Sequence, residues 1–373
     1  MSNLDQLLAN YDYELPQELI AQRSANPRDS SRLLVIDSPT HHSHRVFRDL
    51  PELLQSGDLL VLNNTRVLPA RLYGWKPSGA AVEVLLLEER QNHLWLALVK
   101  PGKRLQPGAR IFFAPHKSTG YTSDVRNQQS GTHPSPRLEA TVLGIDEATA
   151  GRLLQFDLPE GVSLIQLLDS FGHVPLPPYI TDSGTDWSQY QTVYAEKPGA
   201  IAAPTAGLHF TQNTLSRLLA SGIDLAYITL HVGVGTFRPV EVEDITTHKM
   251  HGEWLEVNAE TVEQIRTTQS RQGRIIAVGT TVVRALETAA AGGKLQPFSG
   301  KTELFIYPGY QWQVVEGLVT NFHLPRSSLL MLVGALIGRQ RLLQLYQEAI
   351  ASAYRFYSLG DAMLILPEAR IAN

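Results

Sequence analysis

The chain reads as a mixed α/β sandwich interrupted by a small all-β, barrel-like insertion. From about residue 162 onward, strand-like apolar runs alternate with segments of helical period, the pattern of an α/β layer sandwich. Between 70 and 158 helical period is absent, and short strand-like runs follow one another between Gly, Pro and Asn punctuation. With 373 residues and 43% hydrophobic content, the chain can fill one large core or two ordinary ones. Residues 1–69 and 159–373 are therefore expected to form the α/β domain, and 70–158 the insertion.

In chain order, 33–37 reads as a strand, 47–54 as an amphipathic turn of helix and 58–62 as a second strand. The runs ARLYGW, AVEVLLLE, HLWLALV, RIFF, LEATVLGI and RLLQFDL then supply the strands of the insertion. Within it, 116–136 (HKSTGYTSDVRNQQSGTHPSP) is polar and aperiodic, and so is expected to be a basic, mobile or ligand-binding loop. Further on, 215–220, 262–268 and 282–290 carry helical patterns, and 224–230, 274–278 and 303–307 read as strands. No internal repeat and no heptad pattern is visible.

Composition excludes several classes. With no cysteine there is no disulfide, thiolate nucleophile or cysteine-ligated zinc, so any metal would need histidine and carboxylate ligands. The opening MSNLDQLLANYDYELP lacks a basic region followed by an apolar run, and the longest apolar stretch, 329–337, is too short to span a bilayer. A cytoplasmic protein is expected. The net charge of −4 argues against a uniformly basic coat. One segment departs from that balance: Lys100, Lys103, Arg104, Arg110, Lys117, Arg126 and Arg137 face a single acid, Asp124, and mark where a polyanion would dock.

Six short motifs fall at the ends of the expected strands. Asn63-Asn64-Thr65-Arg66 follows an apolar strand, where it would face a ligand crevice or close a hydrogen-bonded turn. In 203–210 (APTAGLHF), small residues let backbone approach a ligand, and His209 sits at the junction with a helix capped by Thr211. His231-Val232-Gly233-Val234-Gly235-Thr236-Phe237-Arg238 places a glycine turn at a strand end. Arg238 in the slot of a third glycine and Pro239 after it exclude a dinucleotide fingerprint. His248-Lys249-Met250-His251-Gly252-Glu253 lacks helical zinc-ligand spacing, so proton transfer by His251 or Glu253 is the favoured role. Gly279-Thr280-Thr281 opens a helix carrying Arg284, an arrangement suited to an anion. Asn321 and His323 set an amide and an imidazole beside Phe322, which suits a purine or another heterocycle.

The segments DYELPQELIAQ, RDSSRLLVID, GDLLVLNNTRVLPARL, APTAGLHF, LHVGVGTFRPV, AVGTTVVRALE and GLVTNFHLPRSSLLMLVGALIG, in this order over nearly the whole chain, resemble the S-adenosylmethionine:tRNA ribosyltransferase-isomerase family of queuosine biosynthesis. The stretch 116–136 departs from that family in being longer and more polar. The resemblance implies an enzyme that moves and isomerises the ribosyl part of S-adenosylmethionine onto the aminomethyl group of 7-aminomethyl-7-deazaguanine. The acceptor is the wobble position of a tRNA with a GUN anticodon, and epoxyqueuosine-tRNA, adenine and methionine are the products. It also implies S-adenosylmethionine as co-substrate; no metal and a monomer are expected. A sulfonium acidifies neighbouring C–H bonds and adenine leaves as a proton reaches it, so acid/base groups are needed. His209, His231, His251 and Glu253 are the candidates by position. Asn64, Thr65, Arg66, Thr205, Gly207, Gly233, Gly235, Thr236, Arg238, Gly279, Thr280, Thr281, Arg284, Asn321 and His323 are expected to cradle cofactor and substrate. Lys100, Lys103, Arg104, Arg110 and Lys117 are expected to contact tRNA.

Overall fold

The structure, a computed structural model, describes residues 3–115, 138–147, 149–177, 179–180, 187–233 and 240–371. Gly235, Thr236, Arg238, Lys117 and the whole of the loop expected at 116–136 lie outside the described residues. Two compact units are present, Met1–Arg66 with Pro178–Asn373, and Val67–Pro177.

The first unit is built on a nine-stranded sheet. Its strands are β1 (Arg32–Ile36), β2 (His42–Val46), β3 (Leu59–Asn63), β13 (Asp224–Leu230), β14 (Glu253–Val257), β15 (Ile275–Val278), β16 (Phe298–Thr302), β17 (Gly317–Asn321) and β18 (Ala362–Ile365). They lie in the order β16-β14-β13-β3-β15-β17-β18-β1-β2. β13, β3, β15 and β17 are mutually parallel, and antiparallel pairings flank them on both sides. The short strands β4 (Thr65–Val67) and β12 (Lys197–Ala200) pair separately.

A parallel centre must be covered on both faces, and the sequences LLVLN, IIAV and GLVTN are accordingly buried at every position. Side chains alternate between two cores. Leu59, Val61, Ile275, Ala277 and Leu318 pack with α5 (Thr280–Ala289), α6 (Ser328–Ile337) and α7 (Arg339–Ala351). Leu60, Leu62, Ile276, Val278 and Val319 instead meet α1 (Leu50–Leu53), α3 (Gln212–Ala220) and Phe47. The fold class expected from the alternating pattern is therefore observed.

The expectation of a strand at 303–307 is corrected: the strand is β16, which ends at Thr302. Arg284 takes the carbonyls of Thr302 and Leu304, and the Leu304 amide donates to the Thr302 hydroxyl, so the ladder cannot continue. α4 (Ala259–Ser270) begins at Asn258, whose side chain accepts from the Thr261 amide.

The second unit is the all-β body. β5 (Arg71–Trp75), β6 (Ala81–Gln91), β7 (Leu94–Lys100), β10 (Arg152–Asp157), β9 (Leu138–Ile145) and β8 (Arg110–Phe113) pair in that order, and β8 returns to β5 to close a six-stranded antiparallel barrel. Closure fixes one glycine. A Cβ at Gly74 would stand 2.4 Å from the Phe112 carbonyl oxygen and 2.7 Å from the Phe113 ring. α2 (Leu164–Phe171) and β11 (Gly172–His173) belong to this unit, with Leu164, Leu168 and Phe171 in the barrel core. Among the described residues no helix is long and apolar enough to cross a membrane.

Candidate active site

The four parallel strands end at Asn63, Leu230, Val278 and Asn321, and a cavity of about 230 Å3 opens beside the ends of β13, β15 and β17. Ligands of open α/β sheets bind in this crevice because strand ends and helix starts leave backbone groups free there. The wall is formed by 202–206, Val232, 279–281, 320–325, Ser327, Leu329, Tyr357 and Ser358.

Gly279 sets one side. Its φ of +92° falls in the region that side chains rarely adopt, and its amide donates to the Val319 carbonyl at 2.8 Å. That turn aims the first residues of α5, Thr280 and Thr281, at the cavity, and the opening amides of a helix have no intrahelical acceptor. The helix start thus offers donors and the positive end of its dipole to a carboxylate or phosphate. Asn63 fixes Thr281 from behind: its amide nitrogen donates to the Leu230 carbonyl at 3.0 Å and to the Thr281 hydroxyl at 3.3 Å.

The opposite side carries the amide and the imidazole. Asn321 accepts from the Thr205 hydroxyl at 2.9 Å and donates to His209 Nε2 at 3.1 Å. Because an amide NH2 can only donate, Nε2 of His209 is an acceptor, and its proton resides on Nδ1, 2.8 Å from Ser31 Oγ. His209 stacks on Phe47 at 5.0 Å and does not reach the cavity wall, acting on it only through Asn321. Burial pushes His209 down to about 4; Asp361 opposes the shift, while Arg355 and Arg28 add to it.

His323 does line the cavity. Its Nε2 lies 2.9 Å from the Thr320 hydroxyl, leaving Nδ1 as the ring nitrogen without a partner among the described residues. The backbone on either side of the ring is clamped, with the amide donating to Tyr346 Oη at 2.9 Å and the carbonyl accepting from the Tyr13 hydroxyl. Burial pushes this imidazole down to about 3, so it is uncharged at neutral pH.

The remaining sequence-selected residues are distributed as follows. Asn64 is consumed by Glu196 and Thr229, at 3.0 and 2.7 Å. Thr65 contacts His231 Nδ1 at 2.8 Å, and that ring stacks on Trp254 at 5.0 Å, pushed down to about 4 by burial. Arg66 is exposed. Gly207 is required by packing: a Cβ there would stand 2.1 Å from the Tyr194 hydroxyl. Arg284 is turned away from the cavity, because its guanidinium pairs with buried Glu253 and takes two carbonyls. The other Glu253 oxygen accepts from the Gly233 amide at 3.0 Å, which ties the glycine turn to the ion pair. His251 is exposed.

Sequence reasoning did not single out Ser31, Tyr357 or Ser358. Tyr357 holds a φ of +73°, a rare conformation for a tyrosine that no local pattern signals.

In the second unit, Lys100, Lys103 and Arg104 are exposed together at the end of β7 and in the turn after it. Buried Arg152 holds that turn by donating to the Gly102 and Leu105 carbonyls, each at 2.6 Å. Arg110 pairs with Glu139, so its charge is largely offset.

A parallel sheet centre, a cavity at its strand ends, a helix start on one wall and an amide with an imidazole on the other define an α/β protein with a crevice suited in size and polarity to a small ligand. The comparisons make this specific. A family model described as queuosine biosynthesis protein matches residues 8–365. A Nostoc sp. protein named S-adenosylmethionine:tRNA ribosyltransferase-isomerase is 67% identical over 374 residues, covering 99% of this chain and 94% of that one. Its namesake from Desulforamulus reducens is 47% identical over 362 residues, covering 96% of this chain and 99% of that one. The crystal structure of S-adenosylmethionine tRNA ribosyltransferase from Thermotoga maritima is 37% identical with a TM-score of 0.53, covering 96% of this chain and all of the other. The chain belongs to the queuosine biosynthesis protein family.

Proposed function

We propose that this chain is an S-adenosylmethionine:tRNA ribosyltransferase-isomerase, acting as a cytoplasmic monomer without a metal in its reaction. It transfers the ribosyl group of S-adenosylmethionine to the aminomethyl group of a 7-deazaguanine in tRNA and isomerises it to the epoxycyclopentanediol, with release of adenine and methionine. The observation that carries this reading is the cavity wall, whose described residues include no Lys, Arg, Asp or Glu. A sulfonium placed there meets no cation that would repel it and no carboxylate that would intercept the electrophile formed as adenine leaves. Its methionyl carboxylate fits the start of α5, with Thr280 and Thr281 as hydroxyl partners.

Thr205, Gly279, Thr280, Thr281, Asn321 and His323 are assigned to the cradle. Of the acid/base candidates, His209 acts through Asn321, as a positioning residue that fixes the amide presented to the heterocycle. Uncharged His323 is the imidazole on the wall itself, able to hold or accept a proton at Nδ1. His231 and the Glu253–Arg284 pair support the turn around Val232 and Gly233, and His251 is left for an exposed proton-transfer role.

The test is a product assay with ribose-labelled S-adenosylmethionine and precursor-bearing tRNA. Free adenine, methionine and a ribose-sized mass gain on the RNA are expected; S-adenosylhomocysteine with a methylated RNA would establish a methyltransferase instead. In the same assay, K100E/K103E/R104E is expected to raise KM for tRNA about tenfold, because those cations would neutralise phosphates, and to leave KM for S-adenosylmethionine unchanged. Unaltered tRNA kinetics would place the RNA surface elsewhere.

A further inference from the structure

Away from the cavity, two imidazoles and a carboxylate converge at one edge of the nine-stranded sheet. His42 and His44 are two residues apart on β2, so their side chains share a face, and α7 brings Glu348 to them. Glu348 Oε1 lies 2.8 Å from His42 Nε2 and 3.0 Å from His44 Nε2, and the ligand atoms of the three residues all fall within 4.8 Å of one another. The second nitrogen of His44 is also held: Nδ1 is 2.7 Å from the Tyr354 hydroxyl, and the Arg32 guanidinium lies 3.7 Å over that tyrosine ring.

Several features of this cluster suit a metal ion. A ligating imidazole is characteristically oriented by a hydrogen bond at its other nitrogen, and here Tyr354 provides it for His44. Two imidazoles and one carboxylate form a ligand set suited to zinc and poorly suited to magnesium or calcium, which favour all-oxygen sets. Tetrahedral zinc bonds of about 2.0–2.1 Å put ligand atoms roughly 3.3 Å apart, so the two His–Glu348 separations need to open by only a few tenths of an ångström, and the two imidazole nitrogens already lie within 4.8 Å of each other. The side chains are 27%, 40% and 39% exposed, which leaves an approach for the ion and a fourth position for water.

The site also answers a local need. β2, HSHRV, is an edge strand with a half-exposed pattern and little apolar burial, paired among the described residues on one side only, to β1. An ion held by β2 and α7 would join segments 304 and 306 residues apart in the chain.

We propose that His42, His44 and Glu348 bind a divalent transition metal of the zinc class, clamping the edge strand to the C-terminal helix. The test is titration of zinc into the chelator-treated, dialysed full-length protein by calorimetry, with cobalt(II) absorption as a reporter of coordination. One ion per chain, a tetrahedral cobalt spectrum and a zinc-dependent rise in thermal midpoint are expected. H44Q and E348Q should each weaken binding at least tenfold, while unfolding in chelator at the wild-type midpoint. Zinc binding equal in wild type and both variants, or no rise in midpoint at saturating zinc, would overturn the proposal. Because turnover is not read, the result is independent of the assigned reaction.

Discussion

His323→Leu is expected to lower kcat/KM for S-adenosylmethionine by about 10²-fold, the usual contribution of a positioned acid/base or recognition group. The ring lines the cavity with Nδ1 unpaired among the described residues, and burial keeps it uncharged. Two of the three contacts that fix the chain at this point use backbone atoms, the amide to Tyr346 and the carbonyl to Tyr13, and survive a side-chain replacement; only the bond to the Thr320 hydroxyl is lost. The variant should therefore fold, and the thermal midpoint checks it. His323→Asn separates two roles, since its amide can hydrogen-bond near the position of Nδ1 but cannot take a proton. Recovery of KM without kcat in that variant assigns proton transfer to His323; recovery of both assigns heterocycle recognition. Turnover within a few-fold of wild type in His323→Leu would remove the residue from the reaction.

The parts of the fold legible in the sequence are those where one local rule suffices. β3 and β15 are short, almost wholly apolar runs because both of their faces are covered, and Asn63 at the end of one and Gly279 after the other mark the crevice; β17 (GLVTN), whose last two residues are polar, carries no such signal. Strands outside the parallel centre obey no such rule. β2 (HSHRV), at one edge of the sheet, and β14 (EWLEV), between β13 and β16, carry exposed or charged residues. Side-chain roles were legible only where the partner is local. Thr211 caps the helix that follows it. Arg284, by contrast, looks like an anion ligand beside Thr280 and Thr281, and only the fold reveals Glu253, 31 residues earlier, as its partner. In the same way Gly207 suggests ligand approach until the Tyr194 hydroxyl is found against it. His209 follows a small-residue turn that points to a ligand, yet its link to the cavity runs through Asn321, 112 residues away.

A second large effect is expected in acid. Burial pushes His209 and His231 down to about 4 and His323 to about 3, against an ordinary value of 6.5 that the unfolded chain regains. Above pH 6.5 the three imidazoles are neutral in both states and contribute nothing to the pH dependence. As pH falls below 6.5 the unfolded chain takes up protons that the folded protein refuses, so stability declines. Each group contributes up to about 1.4 kcal/mol per pH unit until its folded pKa is reached, where the loss levels off. Between pH 6 and pH 5 the three together should remove roughly 3–4 kcal/mol, less a discount for partly exposed His231. Carboxylates add their own losses mainly below that window, so the slope between pH 6 and 5 reports the histidines. Urea unfolding at half-unit intervals from pH 7 to 5 measures it, and His323→Leu should flatten the slope by about a third, because one of three protons is no longer exchanged. The same slope in wild type and variant would show that His323 is protonated in the folded protein near its ordinary pKa. The uncharged cavity wall on which the proposed sulfonium chemistry rests would then acquire a positive charge at mildly acidic pH.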